Sequence, residues 1–344
     1  MVDIQKLIRP NVRNLKPYSS ARDEFKGSAS VWLDANENPN NNGLNRYPDP
    51  LQWKLKTRVS ELKNVPKENI FLGNGSDEAI DLLFRGFCEP GKNKTLICSP
   101  TYGMYQVSAD INDVEVIDVP LTSDWQLNLD GIRSHFSDAD LKLIFICSPN
   151  NPTGNCMQRE DILTLVSEFN GLVVIDEAYI DFAEGKSLTD ELSKFNNLIV
   201  LQTLSKAWGL AGIRLGMAFA NEKVIDVLNR IKPPYNVNQL TQEVALKELT
   251  DETGFTKEVQ AILSERTRLM KELSQLKIVL NIYSSDANFL LVKFTQPKVV
   301  YNTLTEKGIV VRDRSKVAEG CLRITVGTPE ENSQLIAELK KLES

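Results

Sequence analysis

A chain of 344 residues, 42% hydrophobic and 25% charged, has the composition of an ordinary globular protein and is long for one core, so two compact units are expected. Its net charge of -6 argues against a nucleic-acid partner, because affinity for a phosphate backbone rests on clustered Lys and Arg. No apolar run is long enough to span a bilayer, and Met1 to Pro10 lacks the apolar stretch of a signal peptide, so a cytoplasmic protein without membrane contact is expected.

In chain order, residues 1–30 carry little periodicity, include Pro10 and Pro17, and read as an extended N-terminal arm. From 31 to 236, short apolar runs alternate with helical patterns. TLICSP, VEVIDVP, LKLIFICSP, GLVVIDEAY, NLIVLQTLSK and IRLGMAFA read as strands, apolar on both faces as in a buried, largely parallel sheet. REDILTLVSEF and KVIDVLNRI place apolar residues at helical spacing. The alternation predicts an α/β fold, a large domain with helices on both faces of its sheet. Ligands of such sheets sit beyond the C-terminal ends of the strands. There the loops CSPTYG, CSPNNPTG, DEAY and TLSK follow the runs. From 237 to 344, two helical patterns, the strand-like runs KIVLNIY, ANFLLVKF, GIVVRD and CLRITVGT, and a closing helix PEENSQLIAELKKLE predict a smaller α+β domain.

The five cysteines, Cys88, Cys98, Cys147, Cys156 and Cys321, are odd in number, widely spaced and mostly in apolar stretches, so buried free thiols are expected rather than disulfides or a metal site. His135, the one histidine, lies in the polar stretch RSHFSDAD and reads as a solvated surface residue. Its isolation rules out a zinc site needing two histidines and leaves little room for a Ser-His or Cys-His nucleophile.

Chemistry gathers at the strand ends. Lys206 closes an apolar strand in TLSKAWGLAGIRLG, where an unpaired buried ammonium would be costly. A lysine that forms a Schiff base with an aldehyde escapes that cost. Arg214 follows eight residues later, placed to meet an anion. Asp176 ends LVVIDEAY and could be a metal ligand, a helix cap or the partner of a cationic ring nitrogen, as in pyridoxal-phosphate sites. Tyr179 and Asn151, in SPNNPTG, could address that ring's phenolic oxygen. In GNGSDEAIDLLFRGF, Gly73 and Gly75 read as a tight turn and Ser76 as the N-cap of a helix whose start offers N–H groups to a phosphate. The dinucleotide fingerprint fails because Glu78 stands at its third glycine.

Taken together, RYPDP, GNGSDEAI, SPTYGMY, SPNNPTG, VVIDEAY, TLSKAWGLAGIRLG and CLRITVG, in order over nearly the whole chain, resemble the fold-type I aminotransferases and in particular the histidinol-phosphate aminotransferase family. The resemblance implies a mostly parallel seven-stranded sheet, pyridoxal 5'-phosphate as cofactor, and a homodimer with shared active sites. It implies Lys206 as Schiff-base lysine and proton shuttle, Asp176 at the pyridine nitrogen, and Tyr179 and Asn151 at the phenolic oxygen. Tyr102 would stack on the ring. Ser76, Asp77, Ser205 and Arg214 would hold the phosphate with Thr203 nearby, and Tyr47 would reach it from the neighbouring subunit. Tyr18, Arg312 and Arg323 match the positions that bind the substrate phosphate, with Arg312 preferred over Arg314 for its place after GIVV. Asn36 is a further candidate near the amino group. The implied substrates are L-histidinol phosphate, 2-oxoglutarate and L-glutamate. An aromatic or branched-chain aminotransferase and an amino acid phosphate ester decarboxylase are the rivals on the same fold. A noncatalytic cofactor-binding protein is the rival of another class.

Overall fold

The structure is a computed structural model that describes residues 2–16, 25, 27 and 29–343, so Tyr18 lies outside the described residues. The large sheet has seven strands: β1 (Ile70–Asn74), β2 (Lys94–Ile97), β3 (Glu115–Asp118), β4 (Leu141–Cys147), β5 (Leu172–Asp176), β6 (Leu198–Thr203) and β7 (Leu215–Ala220). They lie in the order β1-β7-β6-β5-β4-β2-β3, and only β7 runs antiparallel to its neighbours. This is the α/β architecture expected from the alternation of apolar runs.

Because side chains alternate along a strand, the sheet feeds two separate apolar layers. Ile144, Ile146, Val173, Ile175 and Val200 face one layer, closed by Leu55 and Val59 of helix Trp53–Lys63 and by Ile162 and Leu165 of helix Arg159–Glu168. Leu143, Phe145, Leu172, Val174 and Ile199 face the other, closed by helices Gly75–Phe87, Met104–Ile111 and Glu222–Ile231. Every residue of β5, β6 and β7 is buried, as continuous apolar runs require.

Four readings change. IFLGN is a strand, β1, and Gly73 lies within it opposite Gly216; Gly75 alone makes the turn, at φ +73°. β3 is an edge strand with no buried residue, since nothing pairs with its outer side. The described part of the arm holds two short helices, Ile4–Leu7 and Pro10–Arg13, whose Ile4, Ile8 and Val12 pack in the second layer. Val237, Ala245 and Leu249 lie beyond residue 236, yet they pack in the first layer, because helix Gln239–Glu248 packs against helix Trp53–Lys63.

The smaller sheet is antiparallel and contains β8 (Val279–Ile282), β9 (Phe289–Phe294), β10 (Arg312–Asp313) and β11 (Cys321–Thr325), in the order β10-β11-β9-β8. Its core joins Leu290, Val292, Leu322 and Ile324 to Leu269, Leu304, Leu335 and Leu339 of helices Glu252–Leu273, Pro297–Glu306 and Pro329–Lys341. Thr328 and Glu331 form a reciprocal capping box with Pro329 in the first turn, which fixes where the last helix starts. All five cysteines are free, four buried and Cys156 half-buried. His135 is half-buried in a turn rather than fully solvated. Among the described residues, no helix is long and apolar enough to cross a membrane, and no cluster of metal-ligating side chains occurs.

Candidate active site

A pocket of about 370 Å³ opens where β1, β4, β5 and β6 end, and the small domain closes it from the other side. It is lined by Gly75, Ser76, Asp77, Tyr102, Cys147, Asn151, Asp176, Ala178, Tyr179, Thr203, Ser205, Lys206, Arg214, Arg312, Arg314 and Arg323. Twelve of the fifteen residues singled out in the sequence are therefore brought together. Asn36 and Tyr47 are not: they line a separate depression with Leu44 and Tyr235, where the Tyr47 ring stacks on Tyr235 at 4.4 Å.

One wall is an anion cradle. The helix Gly75–Phe87 starts directly at the end of β1 and is capped by Asn74, so Ser76 is its second residue and not its N-cap. The Asn74 N–H donates to Glu78 Oε2 at 2.5 Å, and Ser76 lines the pocket. Close approach shapes this wall. A Cβ on Gly75 would lie 2.7 Å from Arg214 Nη2, and one on Gly216 would lie 2.1 Å from the Ser76 nitrogen. The Gly75 N–H donates to the Arg214 carbonyl at 2.8 Å, and Arg214 turns the chain at φ 55°. Ser205 is held by its N–H on Thr203 Oγ1 at 3.1 Å. The helix start at Gly75 and Ser76, the second serine Ser205 and the Arg214 guanidinium line one pocket, the groups that suit a phosphate. The Asp77 carboxylate belongs to the same wall. It stands 3.6 Å from Arg214 and accepts from the Tyr102 hydroxyl at 3.1 Å, positioning both.

The floor is Asp176, only 2% exposed. Its Oδ2 accepts from the Tyr105 hydroxyl at 2.8 Å and its Oδ1 from the Ala178 N–H at 3.0 Å. Among the described residues no cationic side chain lies within ion-pair distance, and burial pushes its pKa up against the pull of those two hydrogen bonds. Tyr105, the last residue of SPTYGMY, carries no role in the sequence reading. Lys206 stands at the pocket mouth with its ammonium 5.4 Å from the Tyr179 ring centroid. The surrounding protein, followed by the Arg323 charge, lowers its pKa. Burial raises that of Tyr179, which meets Phe289 edge-on at 5.2 Å.

The third wall is cationic. Arg312 and Arg323 are direct cross-strand partners, and Arg314 lies two residues beyond Arg312, its N–H on the Cys321 carbonyl at 3.0 Å. Like charges placed so repel each other. Among the described residues no carboxylate stands within 4 Å of any of the three. Asp313, the acid that could have neutralised them, instead accepts from the Ser315 N–H at 2.8 Å. Arg323 donates to Asn151 Oδ1 at 2.5 Å and lies over the Phe289 ring at 5.2 Å. The Arg314 Nε is buried without an acceptor. Burial, then the Arg323 charge, pulls the Arg314 pKa down. Arg314 thus shares this wall with Arg312, the residue preferred from the sequence. The period of an extended chain, which puts residues two apart on one face, was the signal available.

A model of the family described as aminotransferase class I and II matches residues 19–339, and the chain belongs to that family. Within it, the chain is 58% identical over 344 residues to the histidinol-phosphate aminotransferase of Parabacteroides distasonis, covering 99% of both chains. Among solved structures, the histidinol-phosphate aminotransferase from Clostridium acetobutylicum matches with a TM-score of 0.81 at 24% identity, over 87% of this chain and 91% of that one. That of Sinorhizobium meliloti, in complex with pyridoxal-5'-phosphate, matches with a TM-score of 0.79 at 21% identity, over 86% and 84%. These two likenesses speak for the fold.

Enzymes of this family depend on pyridoxal phosphate, and the pocket fits it. The buried carboxylate of Asp176 suits a cationic ring nitrogen, the cradle suits the phosphate, and Lys206 lines the same pocket.

Proposed function

We propose that the protein is a histidinol-phosphate aminotransferase of histidine biosynthesis, moving the amino group reversibly between L-histidinol phosphate and 2-oxoglutarate to give imidazole-acetol phosphate and L-glutamate. The observation that carries this reading is the wall of Arg312, Arg314 and Arg323, three guanidiniums with no carboxylate within 4 Å among the described residues. A phosphate monoester dianion and a dicarboxylate each bring two negative charges, and one set of guanidinium forks can take either. An aromatic amino acid brings a single carboxylate and would leave part of that charge uncompensated.

The bound cofactor supplies an electron sink for the electrons left when the α-proton departs. Asp176 holds a proton at the ring nitrogen, and Asn151 and Tyr179 address the phenolic oxygen. Lys206, its pKa lowered, is a neutral base in a larger share of molecules than a solvated lysine. Its Nζ takes the α-proton of the amine substrate and returns it in the reverse half-reaction. Arg323, fixed by Asn151 and Phe289, orients the substrate so that this bond faces Lys206.

The same reading makes the active unit a cytoplasmic homodimer, of an arm (residues 1–30), a cofactor-binding domain (31–236) and a small domain (237–344) whose first stretch, through Leu249, packs against the cofactor-binding domain. Tyr47 is half-exposed, and with Asn36 it lies outside its own chain's pocket, as residues serving a neighbouring subunit would. Tyr18 remains the further candidate for the substrate phosphate.

The test is a visible spectrum of the holoenzyme on adding L-histidinol phosphate, then 2-oxoglutarate. The cofactor band should convert and return, and Arg314→Gln should raise KM for L-histidinol phosphate about tenfold or more, as loss of a charge-assisted contact does. Conversion by phenylalanine alone, or carbon dioxide released from phosphothreonine, would overturn the substrate.

A further inference from the structure

The strongest unexplained feature beside the pocket is the pairing of two fully covered groups. Tyr105 is 0% exposed and contributes nothing to the pocket lining, yet its hydroxyl takes up Asp176 Oδ2 at 2.8 Å. Its ring is fixed by stacking on Phe145 at 4.9 Å and by edge contact with Tyr102 at 5.6 Å. We infer that Tyr105 is a positioning residue that keeps Asp176 ionised, so that the proton shared across the pocket floor stays on the cofactor's ring nitrogen. The inference rests on the reading of Asp176 given above and adds the group that acts through it.

The groups facing Asp176 are few. Cys147 comes from β4, Tyr102 and Tyr105 from the segment after β2, Asp77 from the start of the Gly75–Phe87 helix, Tyr179 from the loop after β5, and Lys206 from the turn after β6. Asp77 and burial favour a protonated Asp176; Lys206, the Ala178 N–H and the Tyr105 hydroxyl favour the carboxylate. Among these, the Tyr105 hydroxyl is a second short donor to the carboxylate beside the Ala178 N–H. Burial and the neighbouring carboxylate hold its own pKa well above the ordinary phenol value, so Tyr105 stays a donor across the working pH range. A hydrogen bond to a buried charged group shifts a proton's partition by about ten- to a hundredfold. Without it, the proton moves from ring nitrogen to Asp176, and the ring loses withdrawing power.

The test is ¹⁵N NMR of the holoenzyme loaded with cofactor labelled at the ring nitrogen, comparing the wild type with Tyr105→Phe, which keeps the stacked ring. The wild-type resonance should sit at the protonated-nitrogen position, and Tyr105→Phe should move it towards the neutral one, with kcat falling about tenfold or more at little changed KM. If Tyr105→Phe does not fold, 3-fluorotyrosine at position 105, a stronger donor, should raise the pH at which that nitrogen loses its proton. An unmoved resonance or midpoint in an enzyme that binds cofactor and turns over overturns the role of Tyr105 alone. A wild type that binds no cofactor overturns the reading of the pocket itself.

Discussion

Lys56 offers a sharp test of the physical account of this fold. It lies on the helix Trp53–Lys63, is only 1% exposed, and has its ammonium 5.3 Å from the Trp53 ring centroid. Burial, then the nearby Lys232 charge, lowers its pKa from 10.5 to about 8 despite Asp49, Asp226 and Glu68. One pKa unit is about 1.4 kcal/mol, so the native state carries a penalty of about 3 kcal/mol when this lysine is charged. The unfolded chain binds more protons between pH 8 and 10.5, so stability should rise with pH through that window and be lost as pH falls through 8. Lys56→Met, similar in volume, should remove the penalty. For 344 residues, about 3 kcal/mol corresponds to about 4 °C in Tm. Thermal unfolding from pH 7 to 10.5 should show the variant ahead by about that amount at pH 7 and level with wild type near pH 10.5. A difference that stays constant across pH would refute the reasoning.

Lys206→Ala should lower transamination at least about a thousandfold while the protein still folds, measured by coupled 2-oxoglutarate turnover and circular dichroism. Ordinary turnover in this variant would remove Lys206 from the chemistry. Gly216→Ala drives a Cβ to 2.1 Å from the Ser76 backbone, which no side-chain rotation relieves. It should cost about 1–3 kcal/mol of stability and weaken cofactor binding, read by urea unfolding and a cofactor titration, through displacement of the helix start that faces the phosphate.

Much of the fold was legible along the chain. Strands buried on both faces must be apolar throughout, so β2, β4, β5, β6 and β7 announce themselves, and parallel strands put their functional ends on one side. Asp176, Asn151 and Lys206 could be picked out because each lies at or just beyond the end of such a strand. β1 could not, since IFLGN is short and its Gly73 looks like turn chemistry until Gly216 is seen across from it. Ser76 lost its cap role for a local reason: the chain enters the helix one residue earlier, at Gly75.

What only the tertiary structure decided is which side chains meet. Residue order carries local propensity and face, but not the register between strands distant in sequence. Arg312 meets Arg323 through an antiparallel register, and Tyr105 reaches Asp176 across 71 positions. Asn36 and Tyr47 line a depression apart from their own chain's pocket, and helix Gln239–Glu248 joins the large core although it follows the change in pattern at Pro233–Pro234. Propensity acts on neighbours along the chain, while packing acts on neighbours in space; the first wrote the strands and their ends, and the second assembled the site.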